Sequence, residues 1–159
     1  MTLRYERILV PVDGSEGAEA VLPHALSLAR KFGSTIELVR SYAVPPSLVA
    51  ASAATALPGT GPALNAEPYL EAGRTEAEVY LEELEERLRP EGVPIEHRQL
   101  EGSAGESIVT ESHRSGSDMI AMATHARAGI GRLVLGSVAD YVVHHATCPV
   151  LLVRTESGQ

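Results

Sequence analysis

The sequence predicts an open, doubly wound α/β sheet of five parallel strands with helices on both faces. Short apolar runs typical of strands alternate five times with stretches whose apolar residues recur at helical spacing, over 159 residues. A strand that is apolar at nearly every position is buried on both faces and needs helices above and below the sheet. Right-handed crossovers then join the parallel strands.

The first strand and helix have the clearest signals. Residues 7–13, RILVPVD, are typical of a buried strand and lead into a Gly-Ser turn. Ser15 is predicted to cap one helix that ends at Gly33. Pro23 should bend this helix because proline lacks an N–H and crowds the preceding turn. Its predicted apolar face is Ala18, Val21, Leu22, Ala25, Leu28, Ala29 and Phe32.

The remaining elements continue the alternation. The other strands are predicted at STIELVRSY (34–42), VPIEHRQL (93–100), DMIAMA (118–123) and PVLLVR (149–154). A helix over 71–89 should bury Ala77, Tyr80, Leu81, Leu84 and Leu88 and leave its glutamates in solvent, and a short polar helix is expected over 105–116. Apolar periodicity starts the last helix at 133, but Gly136-Ser137 favours a later start.

The chain is expected to form one domain over residues 1–159, with 155–159 as a tail. Residues 41–66 carry no charge and four prolines, and 43–66 is predicted to be a flexible insertion loop. Such a segment suits a lid, an interface or a disordered stretch. Two alternatives follow: a flap over the strand ends that a ligand or partner orders, or an insertion without functional consequence.

Composition excludes several classes of protein. A net charge of −8 and scattered basic residues argue against nucleic acid as a partner. No stretch reaches the roughly 20 apolar residues of a membrane-spanning helix, and the charged start, MTLRYERILV, is unlike a secretion signal. The expected compartment is therefore the cytoplasm. Cys148 is the only cysteine and is predicted to be an unreactive core thiol.

A ligand site is expected beyond the carboxyl ends of strands one and four, because ligands of such sheets bind where the strand order reverses. Those ends read PVDGS and MATHA. After the second comes a turn, within MATHARAGIGRLVLGS, that feeds the last helix as a phosphate-binding turn would.

Two long segments together resemble a universal stress protein domain: ILVPVDGSEGAEAVLPHALSLA near the start and THARAGIGRLVLGSVADYVVHHATCPVLLVR near the end. The resemblance covers nearly the whole chain. It implies strand order 3-2-1-4-5 and a cytoplasmic homodimer. In one branch of the family it also implies an ATP site with the motif Gly-x-x-Gly-x(9)-Gly-Ser/Thr, whereas branches without the motif are regarded as non-binders.

On this sequence the motif becomes Ala123-x-x-Ala126, nine residues, then Gly136-Ser137, so both leading glycines are alanine. Backbone N–H groups of Gly136, Ser137 and Val138 are predicted to bind phosphate. At Ala126 the methyl group either costs about 1 kcal/mol through a positive φ or collides with the phosphate. If both alanines cost that much, the pair weakens binding about thirtyfold.

The resemblance also implies contacts from the ends of three strands. Asp13 would meet the ribose hydroxyls, or a magnesium ion that the nucleotide carries, although by itself it also fits an Asx turn with Gly14 and Ser15. Backbone atoms of Val12 would read the adenine edge, Met122 would line the pocket, and Ser41 replaces a residue that is commonly apolar. The complete predicted site is Pro11, Val12, Asp13, Ser41, Met122, Ala123, His125, Ala126, Arg127, Gly136, Ser137 and Val138.

The histidines and Arg127 receive separate roles. Arg127 can reach phosphate oxygens, and His125 is expected to shape the turn rather than to transfer protons. His144 and His145 point about 100° apart on a helix, so they are predicted to neutralise its C-terminus rather than to share a metal ion. His24, His97 and His113 are expected to be structural or solvated.

The main functional hypothesis is a homodimeric regulatory protein that binds ATP or AMP, and the alternative is a non-binding member that acts only through protein partners. A weak ATP hydrolase is disfavoured because GSVAD has no Walker lysine and no acid–base pair is evident. A dinucleotide binder is disfavoured because no Gly-x-Gly-x-x-Gly follows strand one. The dimer is expected to form through strand 149–154, whose apolar edge a monomer would expose.

Overall fold

The computed structural model describes residues 4–55, 65–125, 127–129 and 132–155, and in these residues five parallel strands form one sheet. The sheet strands are β1 (Arg7–Pro11), β2 (Thr35–Tyr42), β3 (Ile95–Glu101), β4 (Met119–His125) and β7 (Val150–Thr155). A two-stranded hairpin consists of β5 (Arg127–Gly129) and β6 (Arg132–Val134). The helices are α1 (Glu16–Glu19), α2 (Leu22–Phe32), α3 (Pro46–Thr55), α4 (Glu67–Leu88), α5 (Ala104–Arg114) and α6 (Ser137–His145), and a 3-10 turn, Arg89–Glu91, follows α4.

The order of the sheet is β3-β2-β1-β4-β7, which confirms the expected order 3-2-1-4-5. Ile8 and Val10 of β1 point to the face covered by α2 and α4, whereas Leu9 between them packs with residues of α5 and α6. Both faces of β1 are therefore buried. None of the helices in the described ranges has both the length and the apolarity needed to cross a membrane.

The first predicted helix is two helices. Ser15 caps α1 as expected, but the chain leaves helical structure after Glu19 and resumes at Leu22. Pro23 lies in the first turn of α2, where its missing N–H breaks no helical hydrogen bond, so it starts a helix instead of bending one. Gly33 ends α2 with φ 70°, as predicted.

The uncharged segment contains a helix that the sequence analysis assigned to a loop. Residues 46–55 form α3, which begins at a proline, a residue that suits the first helical position. Residues 56–64 lie outside the described ranges, so the flap hypothesis remains a prediction. The next helix, α4, begins at Glu67, four residues earlier than predicted.

The last helix starts at Ser137, which confirms the later start. Residues 132–134 instead pair with 127–129 as an antiparallel hairpin, although the apolar pattern assigned 133 and 134 to this helix. The final strand extends to Thr155, so the expected tail loses its first residue, and 156–159 lie outside the described residues. Cys148 is half-buried, and burial raises the pKa of its thiol, in agreement with an unreactive core cysteine.

Two helices on one face approach closely at Gly105. A side chain at this position of α5 would begin 2.9 Å from the side chain of Tyr141 on α6. Glycine is required here because any Cβ would overlap that ring, so Gly105 sets the distance between α5 and α6.

Two buried carboxylates face each other between the sheet and α5. Glu37 of β2 and Glu111 of α5 are 3% and 4% exposed. Burial raises the pKa of Glu37, and the neighbouring Glu111 raises it further. Burial alone would also raise the pKa of Glu111, but hydrogen bonds from Arg114 and Glu37 and the charges of Arg114 and Arg98 lower it. The pair therefore retains a proton on Glu37 more readily than an isolated glutamate does.

Glu37 makes the stability of the fold depend on pH. Because the folded state holds this proton where the unfolded chain has released it, stability falls as pH rises from about 4.5, the ordinary value, through the raised pKa. Glu37→Gln keeps the hydrogen-bonding shape without the ionisation. We expect urea titrations to show that the free energy of unfolding of E37Q, relative to that of the wild type, is higher at pH 8 than at pH 5. Glu83→Gln, at an exposed position of α4, is the control. If the free energies of unfolding of E37Q and the wild type differ by the same amount at both pH values, this account is contradicted.

Candidate functional site

The carboxyl ends of β1 and β4 open onto a cleft of about 220 Å³, here called the strand-end cleft. It lies where the sheet order reverses, as the fold class predicts. Helices α1, α5 and α6 complete its walls. The lining residues are Pro11, Val12, Asp13, Ala18, Val39, Ser41, Ala104, Ile108, Met122, Ala123, Thr124, Gly136, Ser137, Val138 and Ala139.

Most of the predicted site residues meet in this cleft. The structure brings together Pro11, Val12, Asp13, Ser41, Met122, Ala123, Gly136, Ser137 and Val138. The other three predicted site residues are His125, Ala126 and Arg127. Ala126 and the side chains of His125 and Arg127 lie outside the described part of the chain, although His125 ends β4 and Arg127 begins β5.

Asp13 forms the Asx turn with Gly14 and Ser15, which was one of the two roles predicted for it. Its Oδ1 accepts hydrogen bonds from the Ser15 N–H at 2.9 Å and the Ser15 hydroxyl at 2.6 Å. The same hydroxyl oxygen accepts from the Ala18 N–H at 3.1 Å and caps α1. Asp13 remains exposed, and its Oδ2 makes no hydrogen bond within the described residues. The carboxylate is thus held in place by one oxygen and free at the other.

A network around Gly14 attaches this turn to α4. Gly14 has φ +88°, and a side chain there would begin 3.4 Å from the guanidinium of Arg40. Arg40 pairs with Glu76 at 2.6 Å and lies 5.0 Å from the centre of the Tyr80 ring. The Tyr80 hydroxyl donates to Glu19 at 2.9 Å, and burial raises the pKa of Tyr80 so that it keeps this proton.

The backbone of Val12 offers less than was predicted for reading a base. Its N–H donates to the carbonyl of Val39 at 2.9 Å and completes the pairing of β1 with β2. Among the described residues the Val12 carbonyl oxygen accepts no hydrogen bond, so it is the backbone group left for a ligand. A carbonyl recognises a donor such as an exocyclic amino group.

The N-terminus of α6 has no side-chain cap. The Gly136 N–H points to Oγ1 of Thr124 at 3.4 Å, and the Gly136 carbonyl accepts the first helical hydrogen bond from Asp140 at 2.9 Å. The N–H groups of residues 137–139 consequently have no partner within the helix, and these residues line the strand-end cleft. Together with the helix dipole they form an arrangement suited to an anion.

Six lining residues were missed by the sequence analysis. Thr124 is 3% exposed and lies two positions after Met122, so the two-residue period of a strand was the signal for it. Ala104 and Ile108 are four residues apart on α5, a helix that was predicted only as short and polar. Ala18, Val39 and Ala139 are the other three.

The cleft is mainly apolar with few polar groups. Its apolar wall consists of the buried side chains of Val39, Ile108 and Met122. Among its described lining residues Asp13 carries the only charge, so these residues contain no acid–base pair. The arrangement suits a ligand with a flat apolar part, hydroxyl groups near Asp13 and an anionic group at α6.

The first of the two alanines does not occupy a strained turn. Ala123 lies within β4 and pairs with Val153 of β7, so its backbone is extended and glycine is not required there. The condition that both alanines store strain is therefore not met at Ala123. The thirtyfold weakening of binding assumed a conformational cost at both alanines. Only the cost at Ala126 remains, and Ala126 lies outside the described residues.

Four of the histidines, His97, His113, His144 and His145, have a contact within the described residues. Nδ1 of His144 and of His145 each lies 2.8 Å from a carbonyl oxygen one turn earlier in α6, which confirms their association with its C-terminus. His113 contacts Thr147, and His24 is exposed. His97 lies partly buried between β3 and α4 and contacts Glu85, which fits the structural role that was one of its two predictions.

Sequence comparisons identify relatives along nearly the whole chain. The model of the universal stress protein family matches residues 4–154. Universal stress protein MJ0531 of Methanocaldococcus jannaschii is 31% identical over 150 residues, which cover 94% of this chain and 82% of that protein. Universal stress protein Sll1388 of Synechocystis is 30% identical over 153 residues, covering 94% and 98% respectively.

Solved structures share the fold. Hypothetical protein MJ0577 superposes with a TM-score of 0.75 at 22% identity, covering 98% of this chain and all of that one. A universal stress protein in complex with cAMP gives 0.66 at 19% identity, with coverage of 97% and 100%. The Archaeoglobus fulgidus protein in complex with dAMP gives 0.54 at 24% identity, with coverage of 94% and 98%.

Proposed function

The chain belongs to the universal stress protein family, and from this premise and the strand-end cleft we propose that it is a cytoplasmic regulatory protein that binds ATP or AMP. The observation that carries the proposal is the uncapped N-terminus of α6 at the cleft, opposite an apolar wall. Two solved proteins of this fold are in complex with cAMP and dAMP, which supports an adenine nucleotide as the ligand.

Each part of the nucleotide has a complementary group. The adenine packs against Val39, Ile108 and Met122, and its amino group donates to the Val12 carbonyl. The ribose hydroxyls donate to the free oxygen of Asp13. The first phosphate accepts from the N–H groups of residues 137–139.

Further phosphates extend toward the hairpin of β5 and β6. We predict that Arg127 reaches their oxygens and that His125 shapes the turn. A magnesium ion near Asp13 would be one that the nucleotide carries. We assign no catalytic role, because the described lining residues contain no acid–base pair. Occupancy then acts by changing the surface offered to a second copy and to other protein partners.

The first test separates the backbone from the hydroxyl at residue 137. Ser137→Pro removes both the N–H and the hydroxyl, yet proline suits the first helical position, and Gly136 already has the extended conformation that precedes proline. Ser137→Ala removes the hydroxyl alone. We expect calorimetric titration with ATP and AMP to show about ten- to hundredfold weaker binding for S137P than for S137A, because hydrogen bonds to charged groups contribute about 1.5–3 kcal/mol.

Equal affinities for S137P and S137A would remove the α6 N-terminus from the site. If the wild type binds neither ATP nor AMP, with or without magnesium, nucleotide binding is wrong. The alternative, a stress protein that acts only through protein partners, would then account for the missing glycines.

The second test concerns the two alanines. We propose that the turn holds its nucleotide more weakly than a glycine version would, through Ala126 alone. Ala126→Gly should strengthen ATP binding by up to about fivefold, the equivalent of 1 kcal/mol. Ala123→Gly is the matched control and should give no gain, because its position is an ordinary strand residue. Equal gains from both substitutions would contradict the assignment of strain to residue 126.

The third test concerns assembly. β7 is an edge strand, and its residues 150–153 are apolar and only partly buried, so we propose that two copies pair there. Light scattering at micromolar concentration should give twice the 16.8 kDa mass of one chain. A mass of one chain under these conditions would end the proposal.

A further inference from the structure

A cluster of metal-ligating side chains lies between α4 and the edge strand β3, away from the strand-end cleft. His97 is in β3, where it pairs with Leu38 of β2, and its side chain is 20% exposed. Glu78, Glu82 and Glu85 follow one another at spacings of four and three on α4, so they share one face of that helix. They lie beside the buried stripe through which α4 packs on the sheet.

The imidazole contacts carboxylates on both of its nitrogens. Nδ1 lies 2.5 Å from Oε2 of Glu85, a hydrogen bond, and Nε2 lies 3.6 Å from Oε1 of Glu78. One ligand atom each from Glu78, Glu82 and His97 can be chosen so that all three lie within 4.8 Å of one another. Within the described part of the chain no Lys or Arg forms a salt bridge with Glu78 or Glu82.

The contacts of His97 resemble those of a metal-binding histidine. When Nδ1–H donates its hydrogen bond to Glu85, Nε2 carries the lone pair, and Oε1 of Glu78 lies 3.6 Å from it. Metal-binding imidazoles are commonly oriented in this way, by a carboxylate, a backbone carbonyl or a water molecule behind the ring. The 3.6 Å separation of Nε2 and Glu78 is too long for a hydrogen bond. It is close to the roughly 3.4 Å that separates two ligands on a tetrahedral zinc ion.

We propose that Glu78, Glu82 and His97 bind a zinc ion, with Glu85 as the positioning residue behind His97. Two carboxylate oxygens and Nε2 supply three ligands, and a water molecule supplies the fourth because Glu82 is exposed. A mixed nitrogen and oxygen set selects zinc over magnesium and calcium, which prefer oxygen alone. The ion connects α4 to the edge of the sheet, a structural function beyond nucleotide binding.

The test is calorimetric titration of the metal-free full chain with zinc chloride. We expect one ion per chain, and a loss of affinity greater than tenfold in Glu82→Gln and His97→Gln. Glu85→Gln should lose about ten- to hundredfold, the usual effect of removing the partner behind a metal-binding histidine. Glu83→Gln, the next residue of the same helix, changes the charge equally and should leave zinc binding unaltered.

Thermal unfolding provides a second readout. Zinc at a hundredfold excess over its dissociation constant should raise the wild-type midpoint by about 5–10 °C, and should not raise that of His97→Gln. Glu82 is exposed, so its substitution leaves a folded chain in which the loss can be measured. Absence of saturable zinc binding, or equal binding by the wild type, E82Q and H97Q, would overturn the proposal, and neither result bears on the nucleotide titrations.

Discussion

The burial of β1 on both faces is the constraint on which the rest of the structure depends. Ile8 and Val10 need apolar cover on one side of the sheet and Leu9 needs it on the other, so successive crossovers must place helices on both faces. The chain therefore leaves β1 in one direction and later returns to β4 on its other side. The loops after these two strands diverge, and the strand-end cleft is the space between them. Asp13 and the α6 N-terminus meet there because of this topology.

The elements that could be predicted are those whose signals are local. The apolar run of β1, the cap at Ser15 and the αL glycine at Gly33 each depend on neighbouring residues alone, and each was confirmed. Pro23 was misplaced within its helix because the same residue either bends a helix or begins one, and the choice depends on where the preceding turn ends. The position of the site was predicted mainly from the order of the strands, because ligands bind where that order reverses, and less from the chemistry of its residues.

The missed features depend on partners that are distant in the chain. β4 continues past Ala123, where the predicted strand ended, to His125 because β7 runs beside it, thirty residues later, so a motif that reads as a turn is partly strand. The hairpin of β5 and β6 likewise requires two segments to find each other. His97 has an unremarkable neighbourhood in the sequence, and its carboxylates come from a helix twelve or more residues earlier. No periodic pattern encodes such juxtapositions.

The two edges of the sheet differ in chemistry. β7 presents apolar residues, whereas the outer strand at the other edge, β3, carries Glu96 and Arg98, whose side chains are 59% and 50% exposed. Charges along an edge discourage the addition of another strand. Any pairing of sheets through β7 would thus leave a charged strand at both outer ends and stop growing at two copies. In such a dimer the composition of β3 would set the number of copies and would protect the chain against open-ended polymerisation through its sheet.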